Sequence, residues 1–231
     1  MRKIFLVLLL CIGFQSLSAQ GFFRSGDKLR NLDNFDKQRW SWGYYLGFNS
    51  YDFKFDYEEE APDVLVEKNI GFNIGLIGNL RLNDYIDLRL EPGVIFAGRN
   101  LTYPDIPEDN LREVKSTYVH IPLLVKFSTK RLNNFKPFII GGVSTSINLS
   151  SNEDNPDDNS VGEFRMKTST YYYEVGFGID FYLFFFKFTP SIRGVFALSD
   201  ELKRDKDPNS PYTSNINQMS TRGVFLNFKF Q

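Results

Sequence analysis

The chain has 231 residues, a formal net charge of −1 and a single cysteine. A charge this near zero leaves no electrostatic footprint for nucleic-acid binding, and one cysteine excludes an internal disulfide framework and a thiolate metal site. Aromatic residues make up 16% of the chain, Phe and Tyr far ahead of Trp, yet no apolar run approaches the roughly 20 residues of a membrane-crossing helix.

Arg2 and Lys3 precede an apolar run from Ile4 to Phe14, interrupted only by Gly13, and small residues follow at Ser16, Ser18 and Ala19. This order predicts a secretory signal over residues 1–19, cleaved before Gln20 or one residue earlier. Cys11 lies inside the run, after Leu10 and with apolar residues continuing beyond it, which does not fit a lipid-acylated cysteine. Residues 20–41 form a segment ahead of the repeating pattern. Its basic residues Arg24, Lys28, Arg30, Lys37 and Arg39 suit either a soluble tether or a contact with a periplasmic partner or lipid headgroups.

From residue 42 to 231, eight segments alternate apolar and polar residues with a period of two, the pattern of strands with one apolar face. The first places Trp42, Tyr44, Leu46 and Phe48 in one phase and Tyr51, Phe53, Phe55 and Tyr57 in the other, which predicts a bulge near Asn49. The second sets Ile70, Phe72, Ile74 and Leu76 opposite Gly71, Asn73 and Gly75. The third sets Ile86, Leu88, Leu90, Val94 and Phe96 against Asp87, Arg89 and Glu91. The fourth opposes Val119, Ile121, Leu123, Val125 and Phe127 to Tyr118, His120 and Lys126. In the fifth, Ile139, Val143, Ile147 and Leu149 share a face with Gly141 and Thr145. The sixth sets Tyr171 to Phe181 in steps of two against Thr170, Glu174 and Asp180. The seventh sets Phe186, Phe188, Ile192 and Phe196 against Lys187, Thr189, Ser191 and Arg193. The last sets Val224, Leu226, Phe228 and Phe230 against Asn227 and Lys229.

Connections of two lengths alternate between these strands. Long polar ones are predicted at 58–69, 98–115, 150–168 and 199–219, short ones at 81–85, 128–134 and around Leu183. Outer-membrane barrels have short periplasmic turns and longer external loops, and an even strand count leaves both chain ends on the periplasmic side. A soluble eight-stranded barrel shares the alternation, so the polar face decides between them. Arg89, Glu91, His120, Glu174, Lys187 and Arg193 sit mid-strand, where a ligand-binding soluble barrel needs an apolar interior. The expectation is an all-β, eight-stranded, antiparallel up-and-down transmembrane barrel whose wall faces outer-membrane lipid. Arg89, Glu91, Glu174 and Arg193 are the candidate luminal charge network.

Two stretches resemble a known family. Asn34-Phe35-Asp36-Lys37, followed by Trp42-Gly43-Tyr44-Tyr45-Leu46-Gly47, resembles the mature N-terminus of the PorT family (SprT in gliding bacteria). Tyr118 to Phe127, with its Ile-Pro-Leu-Leu-Val-Lys centre, and Lys136-Pro137-Phe138 leading into Gly141-Gly142 resemble consecutive strands of the wider small-barrel superfamily in the same bacteria. The resemblance implies an outer-membrane barrel of the Bacteroidetes type IX secretion system, serving export of proteins with C-terminal sorting domains and gliding motility where present. Its partners would be other type IX secretion components. Asn34, Phe35 and Asp36 are then candidate partner contacts, with Phe35 either an exposed aromatic anchor flanked by Asp33 and Asp36 or a ring that packs under the barrel mouth or sits in lipid headgroups.

Little else in the sequence points to chemistry. His120 is the sole histidine, and no serine–histidine arrangement can be assembled around it from sequence. Glu153, Asp154, Asp157, Asp158 and Glu163 are dense enough to suggest a calcium loop, but Pro156 takes a ligand position and Asp157 the place of the turn glycine. A solvated acidic loop is the expectation. Neither catalytic residues, a metal nor a cofactor is assigned. The competing functions are an outer-membrane lipid-modifying enzyme and a surface adhesin acting through its external loops.

Overall fold

The structure, a computed structural model, describes residues 30–59, 62–104, 106 and 110–231. The signal segment 1–19, Cys11, Arg24 and Lys28 lie outside the described residues. After a single 3-10 turn at Phe35–Lys37 come ten strand segments. They are β1 (Trp40–Tyr57), β2 (Leu65–Lys68), β3 (Ile70–Arg81), β4 (Ile86–Leu90), β5 (Gly93–Thr102), β6 (Leu111–Ser128), β7 (Phe135–Asn148), β8 (Ser169–Tyr182), β9 (Lys187–Ala197) and β10 (Ile216–Phe230).

Ten segments make eight walls. β3 pairs β4 through Gly78–Arg81 and β5 through Phe72–Gly75, and β6 pairs both β4 and β5, so β4 and β5 are two halves of one wall. β2 continues β3 beyond Asn69 and pairs β5. The β4–β5 break falls at Glu91-Pro92, where proline has no N–H for the ladder. The Pro92 carbonyl still accepts from the Leu76 N–H at 2.9 Å. All pairings are antiparallel, and β1 closes the ring by pairing β10 on one side and β3 on the other.

The two faces have opposite chemistry. Ile70, Ile74, Leu76, Val143, Val175 and Phe177 are exposed on the outer wall, while Asn73, Arg89, His120, Glu174, Arg193 and Asn227 are buried inside. An apolar exterior over a polar interior suits lipid outside, the reverse of a soluble ligand-binding barrel. The outward row of β8 from Tyr171 to Phe181 covers about 34 Å along the strand, or about 24 Å at a 45° tilt, the height of an outer-membrane apolar band. At the turn end, exposed Trp40 and Trp42 stack at 6.2 Å between ring centroids, and exposed Phe184 and Phe185 lie in the β8–β9 turn. The short turns fall where the sequence places them. In the first, the Asn83 side chain accepts from the N–H groups of Tyr85 and Ile86, both at 2.8 Å, the local bonding that suits Asn to turns.

Two expectations are corrected. β1 has no bulge near Asn49: its pairing with β10 runs unbroken from Tyr44 to Asp56, and its pairing with β3 from Trp40 to Ser50. The apolar residues change sides instead. Trp42, Tyr44 and Phe48 face outward, whereas Tyr51 and Phe53 are buried within, because the strand leaves the apolar band and its outer face then meets water. The connection expected at 98–115 is likewise mostly strand, since β5 continues to Thr102 and β6 starts at Leu111.

The protruding strands and long loops share a second core at the loop end, built from Phe53, Leu101, Tyr103, Val114, Phe164, Met166, Leu202, Tyr212, Ile216 and Met219. The two longest loops are joined by a Met166–Leu202 bridge and by Asn159 Nδ2 on Asp205 at 3.2 Å. Acidic side chains fasten the loops to their own backbones. Glu153 accepts from the Thr168 N–H at 2.7 Å, which holds its carboxyl below the usual range. Burial pushes the Asp200 carboxyl up, but bonds from the Met219 and Leu202 N–H groups and from Arg204 outweigh it, so it too lies low. Lowered carboxyl groups contribute stability that is present above about pH 4 and is lost as pH falls through their folded values. Glu201, raised by burial, titrates with the opposite sign and limits the loss. The near-ultraviolet circular dichroism of the cap tyrosines should therefore fade below about pH 4 while the far-ultraviolet β signal persists. A near-ultraviolet signal constant to about pH 2 would contradict this reading.

Candidate functional site

The interior is organised around Glu91, at the β4–β5 break. Its Oε1 receives Lys229 Nζ at 2.6 Å and Arg89 Nη1 at 3.4 Å, and its Oε2 receives Arg193 Nη1 at 2.8 Å. The Arg193 Nε lies 2.9 Å from Glu174 Oε2, an ion pair by distance whose N–H direction falls short of a hydrogen bond. Glu174 Oε1 contacts His120 Nε2 at 2.7 Å, and His120 Nδ1 meets Ser146 Oγ at 2.6 Å. Arg89 Nε donates to Asn79 Oδ1 at 3.0 Å. Glu91, Arg89 and His120 are each 0% exposed.

Arg89, Glu91, Glu174 and Arg193, the four charges singled out in the sequence, are thus brought into one connected set. Lys229, His120, Ser146 and Asn79 complete it. Lys229 had a readable signal, lying in the polar phase of the last strand. The pairing of His120 with Ser146 and Glu174, from three different strands, had none. A second set lies toward the turn end, where Lys126 Nζ meets Asp180 Oδ2 at 2.5 Å and Thr189 Oγ1 donates to Asp180 Oδ1 at 2.7 Å.

Backbone shape makes room for this cluster. The Tyr45 hydroxyl reaches along the inner wall, over β3, and donates to the Glu91 carbonyl at 3.3 Å. The side chain passes so close to Gly93 and Gly75 that a β-carbon there would sit 2.2 Å from its hydroxyl oxygen and 2.6 Å from a ring carbon, so both positions need glycine.

Toward the loop end the charges give way to aromatic rings. Tyr51, Tyr118, Tyr172 and Phe225 pack across the interior, with Tyr51 edge-on to Tyr118 and Phe225. Arg99 lies above them, 3.9 Å from the Phe53 ring centroid, and donates to the Tyr118 hydroxyl at 2.8 Å. At the turn end residues 31–39 lie across the opening, with Asn31 bonded to Asn134 and to the Tyr182 carbonyl. Phe35 is half-buried, edge-on to Tyr182 at 6.4 Å with Lys187 Nζ 4.5 Å from its ring centroid. Asp36 accepts from the Tyr182 hydroxyl at 2.6 Å and pairs with Arg131 at 3.5 Å. Of the two positions open to Phe35 in the sequence, an exposed anchor or a ring packed under the barrel mouth, the structure has the second, because the cations and tyrosine at the mouth offer the ring a better surface than water. Asn34 stays on the exposed side, bonded to Lys37 at 3.1 Å.

The serine–histidine–glutamate chain has the residue types of a nucleophile, base and orienting acid. Its surroundings do not suit turnover. Ser146 is 1% exposed and faces the lumen, between the ion cluster and the aromatic layer, so neither bulk water nor membrane lipid has a visible route to its Oγ. Among the described residues, no three His, Cys, Asp or Glu side chains converge as metal ligands.

The model of a protein family described as "outer membrane protein beta-barrel domain" matches residues 19–203. No curated protein matches the sequence. Among solved structures, the outer membrane protein AlkL, determined by solid-state NMR in DMPC bilayers, is 12% identical with a TM-score of 0.47, covering 90% of this chain and 94% of that one. The outer membrane protein OprG from Pseudomonas aeruginosa is 14% identical with a TM-score of 0.45, covering 82% and 95%. Ail, the attachment invasion locus protein of Yersinia pestis, in complex with a heparin analogue, is 12% identical with a TM-score of 0.41, covering 84% and 99%.

Replacing one member of a buried ion cluster leaves its partners charged and unpaired, at a cost of about 3–5 kcal/mol. Glu91→Gln removes the carboxylate shared by Lys229, Arg193 and Arg89 and leaves Arg193 with Glu174 alone. It should lower the unfolding free energy of refolded protein, obtained from urea titration read by heat-modifiable gel mobility, by about 3–5 kcal/mol. A free energy within about 0.5 kcal/mol of wild type would show that the cluster does not hold the interior.

Proposed function

We propose, from the premise that this chain belongs to the outer-membrane β-barrel family, that it is a non-enzymatic structural or assembly component of type IX protein secretion, serving gliding motility where that exists. The observation that carries the proposal is the filled interior. Eight strands leave a lumen only wide enough for side chains, and here those side chains are a paired ion cluster beneath an aromatic layer. Such a barrel has no passage for a protein, so a role in export is exercised beside the conduit.

The type IX assignment itself rests on the resemblance of Asn34 to Lys37 and Trp42 to Gly47 to the PorT family. In this reading the turn end and both chain termini face the periplasm, and the long loops face outward. Phe35 and Asp36 then act as an anchor that fixes the N-terminal segment under the barrel, and Asn34 lies on the side left for another secretion component. The lipid-enzyme alternative draws no support from Ser146, His120 and Glu174, which face the sealed lumen rather than the lipid. The adhesin alternative has no particular residue in its favour.

Deleting the gene separates these readings. The proposal expects proteins with C-terminal sorting domains to disappear from the medium, with lipid A unchanged. Full secretion in the deletion strain would refute it, and altered lipid A with intact secretion would favour the enzyme.

A further inference from the structure

Three neighbouring strands change character at one row on the outer wall. Along β1 the outward residues run Trp42, Tyr44, Leu46, Phe48 and then Ser50, Asp52, Lys54. Along β10 they run Phe230, Phe228, Leu226, Val224 and then Arg222 and Ser220. Along the third wall, exposed Leu76, Ile74, Phe72 and Ile70 of β3 give way to Lys68 of β2. Asp52 is directly paired in register with Arg222, and the β1–β3 ladder ends just below, at Ser50 and Ile70.

At this row the charges are built into one unit. Asp52 Oδ2 takes Arg222 Nε and Nη2, both at 2.8 Å, and Lys68 Nζ at 3.0 Å. The carboxylate side chain is only 10% exposed, while those of Arg222 and Lys68 are 55% and 50% exposed. Two cations sharing one sheltered anion leave a net single positive charge facing outward, in positions fixed by that anion. Lys54, the next outward residue along β1, is paired with Asp56 at 3.0 Å. Beside the unit is a shallow recess of about 230 Å³, with Ser50, Asp52, Lys68 and Arg222 at its polar side and Phe196, Gly223 and Val224 at its apolar side.

We infer that this recess is a site for a phosphate-bearing lipid of the loop-end leaflet, with its phosphate on Arg222 and Lys68 and the start of an acyl chain against Phe196 and Val224. An arginine fork and a lysine ammonium complement a phosphate. The apolar-to-polar switch puts them at headgroup depth, and the neighbouring wall accepts hydrocarbon. Headgroup and chain are recognised together, which a free anion cannot satisfy. The inference depends on the barrel lying in a membrane and is independent of any role in secretion.

The test uses purified full-length barrel in phosphatidylcholine nanodiscs doped with phosphatidic acid, with retained lipid measured by native mass spectrometry. Wild type should retain phosphatidic acid over phosphatidylcholine by about fivefold, the effect of one uncompensated cation near a surface. Lys68→Gln/Arg222→Gln should abolish the preference. So should Asp52→Asn/Lys68→Gln/Arg222→Gln, which leaves no stranded carboxylate. Lys54→Gln/Lys115→Gln, at exposed cations elsewhere on the loop-end wall, should retain it. Equal retention in wild type and the Lys68/Arg222 variants would overturn the site. Equal loss in the Lys54/Lys115 control would overturn it as mere surface charge, and full displacement by inorganic phosphate would overturn the lipid as its ligand.

Discussion

Glu91 sits where one wall of the barrel breaks, and its carboxylate is shared by Lys229, Arg193 and Arg89. A lumen bounded by eight strands has almost no room for water, so luminal charges need partners within it, and Lys229 and Arg193 reach theirs from other strands. The strands that supply these partners, β4, β8, β9 and β10 together with β6 through His120, lie on different sides of the ring. The cluster therefore ties the walls together across the interior, in addition to the ladder hydrogen bonds around it. The close passage of Tyr45 over Gly75 and Gly93 and the pairing of His120 with Ser146 and Glu174 fill the space the cluster leaves.

The interior is graded along the barrel. Paired charges occupy the band that faces lipid outside, aromatic rings follow, and an apolar core fills the part that stands clear of the membrane. The gradient follows from what lies outside each level. Where the exterior is lipid, apolar residues belong on the outer face and polar ones within. Where the exterior is water, the same alternating strand buries its apolar residues inward, as β1 does at Tyr51 and Phe53. The loop end is thus a water-facing domain with its own core, seated on a membrane barrel and continuous with it.

This gradient also explains what was legible in the sequence. Period-two alternation revealed the eight walls, the short turns and the inward phase of Arg89, Glu91, Glu174 and Arg193. It failed at Asn49, where an exchange of apolar residues between faces looks the same in sequence as a register slip. Cross-strand pairings, such as His120 with Ser146 on the neighbouring β7, depend on ladder registers that the alternation within one strand does not encode. Whether Phe35 stays exposed or packs under the barrel mouth was open in the sequence, because its neighbours Tyr182 and Lys187 come from the far end of the chain.

The Glu91 cluster and the aromatic layer above it close the barrel. Conductance of the purified, refolded protein in planar lipid bilayers tests this most directly. A closed interior gives no stable single-channel conductance across the applied voltage range. A large, steady, voltage-independent pore from protein with the folded gel mobility would contradict it.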